Sequence, residues 1–223
     1  MCYQGRSGLG ASVTLSAGER SDMSSSMGEY YRGLEVALRA RAAVATAAPA
    51  RRAAAVHAAL PTLLPGDDAP PAACGEGCAH CCHFPVGVTF AEAVRLAQAV
   101  ADDPALCARI ADEADATGTA SWHDLAGRPC PLLRNGACAR YDARPVPCRA
   151  LASADRDACA HALAGGAPPP RDEAAFWRGL GACAALDEGH GRRELRAALA
   201  ALLSTPGGEP AMLRAFAAAR TAP

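Results

Sequence analysis

Residues 74–83, CGEGCAHCCH, place four cysteines and two histidines in ten positions. A chain that concentrates sulfur this way must bury it, bridge it or bind something with it, and each outcome makes a different demand on the other cysteines. There are 11 in the 223 residues. The odd count and the adjacent pair Cys81 and Cys82 suit a disulfide framework poorly. The opening stretch MCYQGRSGLGASVTLSAGER lacks the basic segment and uninterrupted apolar run of an export signal. No charge-free apolar stretch reaches the length of a membrane span, so no membrane contact and a cytoplasmic location are expected. In that reducing compartment a cysteine-dense chain holds metal rather than disulfides.

Composition narrows the fold. Hydrophobic residues make up 51% and charged residues 20%, which is globular, but aromatics are only 4%, so the core must be built from Ala, Leu and Val. The formal net charge is −1, which leaves no global field to draw the chain onto nucleic acid or an anionic membrane. All 22 basic residues are Arg, a pattern that together with the alanine load reads as coding bias.

Periodicity predicts a mainly α fold, a helical domain around a loop-rich cysteine region with at most one short hairpin. Residues 1–26 are Gly- and Ser-rich without period and read as a disordered extension, with Met23 or Met27 as alternative starts. Residues 27–66 read as N-terminal helices: Tyr31, Leu34 and Leu38 form an apolar stripe, and a second helix after Pro49 carries Val56 and Leu60. PTLLPGDDAPPAA is a linker into the cysteine domain, 67–223. Thr89 and Glu92 form a capping box that opens a helix to about Ala101, and Asp103 with Pro104 opens the next, to about Ala116. Residues 124–152 carry four prolines and the Asn135-Gly136 turn signal and read as loop. Beyond Ser153 helical patterns return, carrying Phe176 and Leu180, then Leu195, Leu199 and Leu202, then Phe216. Short strands are expected near Val86 to Val88 and Ala137 to Tyr141.

The sulfurs sort by their surroundings. Cys2 lies in the extension. Cys107 and Cys183 share helical faces with apolar neighbours and read as small buried hydrophobes. Cys74, Cys78, Cys81, Cys82, Cys130, Cys138, Cys148 and Cys159 remain. A short helix starting near Cys78 would align Cys78, Cys81 and Cys82 on one face, with Gly75 and Gly77 turning Cys74 over it. In the second set, Pro131 and Pro147 preset the backbone. A two-residue Asn-Gly hairpin would put Cys130 and Cys138 on opposite faces, and a three-residue loop would align them. Arg144 and Arg149 flank Cys148 as candidate compensators of thiolate charge, or as ordinary surface arginines. His80 and His83 could each replace a thiolate; the other histidines are isolated.

The order C-x3-C-x2-C-C, T-F-x-E, C-P-L-L-x-N-G-x-C-x-x-Y-x-x-R-P-x-x-C-R and a further Cys eleven residues on resembles the YkgJ-type cysteine-cluster family over about residues 74–160. The resemblance implies a zinc- or iron-chelating site of eight thiols, without a settled reaction. The cluster alone is similar to that of the flagellin lysine methylase, which implies iron-sulfur chemistry. Cys74, Cys78 and Cys81 also match the spacing of radical S-adenosylmethionine enzymes. Here, however, a Pro-rich linker precedes them and too few strand-like runs follow for a barrel.

Two classes of function follow. One is a metal-binding module holding an iron-sulfur cluster or Zn/Fe ions, with metal ions as ligands and a protein as a further candidate partner. The other is an iron-sulfur enzyme, an oxidoreductase or protein-modifying methylase. Eight thiols exceed one closed four-thiolate site, which favours two metals or a cluster with spare thiols and leans toward iron.

Overall fold

A computed structural model describes residues 17–64 and 72–223, with side chains from residue 24. Helix α3 (Phe90–Val100) is its centre. Thr89 caps it, accepting from the Glu92 N–H while the Glu92 carboxylate accepts from the Thr89 N–H at 3.0 Å, the expected capping box. Eight of its residues are buried, because it is packed on opposite sides. On one side Phe90, Val94 and Val100 meet Leu106 and Ile110 of α4 (Pro104–Ala116), Leu195, Leu199 and Leu202 of α8 (Leu195–Leu203) and Phe216 of α9 (Glu209–Ala218). On the other, Ala91 joins Ala37 of α1 (Ala17–Ala42), Val56 of α2 (Pro49–Ala59) and Ala182, Cys183 and Leu186 of α7 (Glu173–Asp187). Each large aliphatic side chain buried here is worth about 1.5–3 kcal/mol.

The mainly α architecture agrees with the periodicity, and the Asp103 cap with Pro104 in the first turn opens α4 as expected. Helix α1 already covers residues 17–26, ten residues ahead of the expected boundary; residues 1–16, with Cys2, and most of the linker, 65–71, lie outside the described residues. Of the apolar stripe of α1 only Leu34 packs against the core; Tyr31 is 59% and Leu38 39% exposed. The buried contact with α7 is made instead by small residues. A Cβ on Gly33 would collide with the Arg178 carbonyl, and one on Gly181 with the Tyr30 carbonyl, so the two backbones lie against each other. Periodicity of large side chains missed this face because glycine and alanine carry it.

Among the described residues strands are confined to two antiparallel pairs, β1 (Gly87–Val88) with β4 (Arg193–Glu194) and β2 (Leu133–Arg134) with β3 (Ala137–Cys138). The second is the expected hairpin. The first joins residues far apart in the chain, which no local turn signal announces. The region read as loop also contains one helical turn, α5 (Val146–Ala150), with Pro147 in its first turn, where a missing N–H costs nothing. Helix α6 (Arg156–Leu163) follows, capped by Asp155. Among the described residues no helix is long and apolar enough to cross a membrane.

Gly181→Ala should therefore lower stability by at least the ~1–3 kcal/mol typical of overpacking. Gly28→Ala, on the same helix pair but with open space around it, should raise it by roughly 0.5–1 kcal/mol. Urea unfolding of both variants checks the contrast.

Candidate functional site

The first cysteine segment is built from turns. Gly77, at φ +86°, lets the chain reverse so that the Cys78 N–H donates to the Gly75 carbonyl at 3.0 Å. A single 3-10 turn (His80–His83) follows, with Cys82 N–H donating to Ala79 O. The expected short helix is thus one tight turn. His83 folds back, its Nδ1 lying 3.1 Å from the Ala79 carbonyl. The second segment runs beside the first: Cys130 N–H donates to Cys82 O at 2.6 Å and Gly127 N–H to His83 O at 2.8 Å.

The hairpin has the strict two-residue loop, Asn135 at φ 52° and Gly136 at φ 77°, with Leu133 opposite Cys138. Cys130 and Cys138 nonetheless face the same space. Cys130 stands outside the ladder, in a turn closed by the Leu133 N–H on its carbonyl at 2.9 Å, so the alternation of strand faces does not reach it.

Six of the eight selected thiols, Cys78, Cys81, Cys82, Cys130, Cys138 and Cys148, line one cavity with about 40 Å³ of water-accessible space, walled also by Val86, Leu132, Tyr141, Arg144, Pro145 and Leu195. This is room for an ion and far below the ~300 Å³ at which pockets for organic ligands begin. Cys74 and Cys159 stand beside it at Ser153. The Ser153 N–H donates to Cys74 Sγ at 3.3 Å and Cys74 Sγ–H to Ser153 O at 3.5 Å, and Cys159 stands close enough to Ser153 and Cys74 for both to act on its thiol. Arg156 of α6 ties that helix to the glycine turn through Gly77 O. Cys183 is buried in the second core, as its apolar surroundings predicted, whereas Cys107, expected to be buried, is only half-buried on α4, with its Sγ–H on Val100 O. All ten described cysteines are free thiols.

Burial and crowding keep Cys81, Cys130, Cys138, Cys148 and Cys159 neutral. Cys81 is pushed far up by its hydrogen bond to Cys82, by burial and by the Cys82 charge, and Arg144 opposes the rise. Burial raises Cys130 to about 11. Cys148 is pushed well up by burial and then by Cys130, Cys81 and Cys138. Burial likewise raises Cys159, with Cys74, Cys78 and Cys81 adding to it. Cys78 and Cys81 thus stand within electrostatic reach of Cys159 as well as on the cavity wall. The donor set suits a thiophilic ion, and no carboxylate lines the cavity to attract a hard one. Among the described residues no three His, Cys, Asp or Glu side chains already stand as ligands of one ion.

The two selected arginines act differently. Arg144 lines the cavity, its guanidinium stacked 3.4 Å from the Tyr141 ring centroid. Arg149 turns onto the backbone, donating to Arg144 O at 2.7 Å and Asp142 O at 2.5 Å. Other arginines, unmarked in the sequence, do similar work. Arg109 donates to the carbonyls of Cys130 and Leu133. Arg140 bonds Ala99 O and Ala139 O. Arg196, 2% exposed, pairs with the fully buried Glu194 at 2.9 Å and donates to Arg128 O and Pro129 O, just ahead of Cys130.

Glu92 was read only as a cap, and it reaches further. Oε2 accepts from Thr89, while Oε1 accepts the Val146 N–H at 2.6 Å and lies 3.4 Å from His57 Nε2. Arg95 donates to His57 Nδ1, so that nitrogen accepts and the ring proton sits on Nε2, facing Glu92. Burial lowers His57 below its ordinary 6.5. Burial pushes the Glu92 carboxyl up, but donors from His57, Val146 and Thr89 outweigh it and hold it below the ordinary carboxylate value.

Two outcomes follow. Arg196→Met strands the Arg128 and Pro129 carbonyls and leaves the buried Glu194 with Arg220 as its one cationic partner beside the Ala197 N–H, so urea unfolding should show a loss of about 3 kcal/mol or more. Because the folded His57 resists protonation, the unfolded chain gains a proton first as pH falls through the ordinary His value, and stability drops; Glu92 adds to the loss further into acid. Thermal melts should fall between about pH 7 and pH 5, and His57→Gln should flatten that slope.

In comparisons with known proteins, the chain matches no family model, no curated protein and no solved structure.

Proposed function

We propose that the protein is a metal-binding cysteine-cluster protein, holding an iron-sulfur cluster or zinc or iron ions through Cys74, Cys78, Cys81, Cys82, Cys130, Cys138, Cys148 and Cys159 in a reducing compartment such as the cytoplasm. The observation that carries this reading is the convergence of six of these thiols on one ion-sized cavity, with the other two at its edge. Membership of the YkgJ-type family is part of the same proposal and rests on the order of those cysteines with Arg144, Pro145 and Arg149.

The residues suit the role. Thiols held neutral by burial and by one another become good ligands when a cation takes the place of their protons. Once bound, zinc would act structurally and an iron-sulfur cluster would add electron transfer. Several thiolates around one site leave net negative charge, and the Arg144 guanidinium on the cavity wall offsets it. The Ser153 backbone holds the Cys74 thiol, and Cys159 lies within electrostatic reach of Cys74, Cys78 and Cys81.

Anaerobic purification with a visible spectrum, metal analysis and sulfide analysis tests the proposal. Iron with acid-labile sulfide, or stoichiometric zinc in colourless protein, is expected. Cys82→Ser should lower metal content and Cys107→Ser should leave it unchanged. Material containing neither metal, with the eight side chains bridged to one another, would overturn the reading.

A further inference from the structure

Glu92 makes more contacts than its helix requires. A capping box needs one carboxylate oxygen, and Oε2 performs that task with the Thr89 N–H and hydroxyl. Oε1 is directed away from α3 to the Val146 N–H at 2.6 Å and to His57. Val146 is fully buried and opens α5, a helix of only five residues. One turn of helix has little power to place itself, so its position depends on what holds its first residue. Two residues further on, Cys148 lines the cavity with Cys81, Cys130 and Cys138. His57 and Arg95 complete the support: Arg95 reaches from the His57 ring to the Asp142 carbonyl, on the loop leading into α5.

We propose that Glu92 is a positioning residue for the cysteine pocket: through Oε1 it fixes the start of α5 and so sets where the Cys148 thiol stands among its neighbours. A carboxylate is needed because donors approach from both sides. Thr89 presents two to Oε2, and Val146 and His57 present two to Oε1. An amide has one accepting oxygen, and its NH₂ would confront donors on the other side. A buried charge is otherwise costly, and a surface capping box would not demand one.

The inference rests on the metal-centre reading only for its metal readout, so two measurements are made on the full chain. In the reduced, metal-free protein, Glu92→Gln should raise iodoacetamide labelling of Cys148 several-fold over wild type, while Cys183 in the second core stays protected. In cobalt(II) titrations followed by the sulfur-to-cobalt band, the same variant should bind about 10- to 100-fold more weakly. Should Glu92→Gln fail to fold, Val146→Pro removes the donated N–H at a first-turn position where proline fits, with Val146→Ala, which keeps the N–H, as the control for the altered buried side chain. Unchanged Cys148 labelling would overturn the inference. So would labelling that rises equally at Cys148 and Cys183, the mark of general loosening. A wild-type chain with no cobalt band would sink the metal centre, and Cys148 labelling would still decide the role of Glu92.

Discussion

A segment with little regular structure can hold cysteines in place only if its backbone carbonyls find donors. Between Arg128 and Arg149 many of those donors are guanidinium groups. Arg109 and Arg196 each span two carbonyls, and Arg95 and Arg149 meet on the carbonyl of Asp142. A planar fork with five donors can bridge neighbouring acceptors in a fixed direction, which an ammonium on a flexible stem does poorly. The absence of lysine, read as a coding bias, thus coincides with a structural use of arginine that composition could not reveal.

The donors are themselves anchored in packed helices. Arg95 leaves the central α3, Arg109 leaves α4 and Arg196 leaves α8, three of the helices whose apolar faces make the first core. Their rigidity passes through the guanidiniums to the loop, so the cavity inherits its shape from a hydrophobic core that it does not belong to. Glu92 and Glu194 complete the scheme from the acidic side. One binds α5 directly, and the other fixes the arginine that holds the approach to Cys130. Both are buried and both retain charge-assisted partners, the condition under which buried ions are tolerated.

Much of this was legible in advance where local chemistry decides. The Thr89 and Asp103 caps, the Asn135-Gly136 turn and the separation of Cys107 and Cys183 from the other sulfurs all depend on residues within a few positions of one another. What was hidden depends on distance. Tyr31 and Leu38 of the α1 stripe face outward, with Leu34 alone against the core, because Gly33 and Gly181 permit a closer approach than any large side chain could. The second oxygen of Glu92 finds Val146, far along the chain, and no spacing rule links them. Ser153 carried no signal at all, since one serine among many is indistinguishable until Cys74 and Cys159 are seen on either side of it.

The backbone bond from Cys130 to Cys82 carries a consequence for the order of events. It joins positions separated in sequence by the whole of α3 and α4, so a loop of that length must close before the two sulfur-bearing segments can meet. Long-range closure of this kind exacts its entropy early and returns it late. On a newly made chain, the first four thiols therefore spend a period without their companions, exposed to whatever oxidant or adventitious cation the surroundings hold.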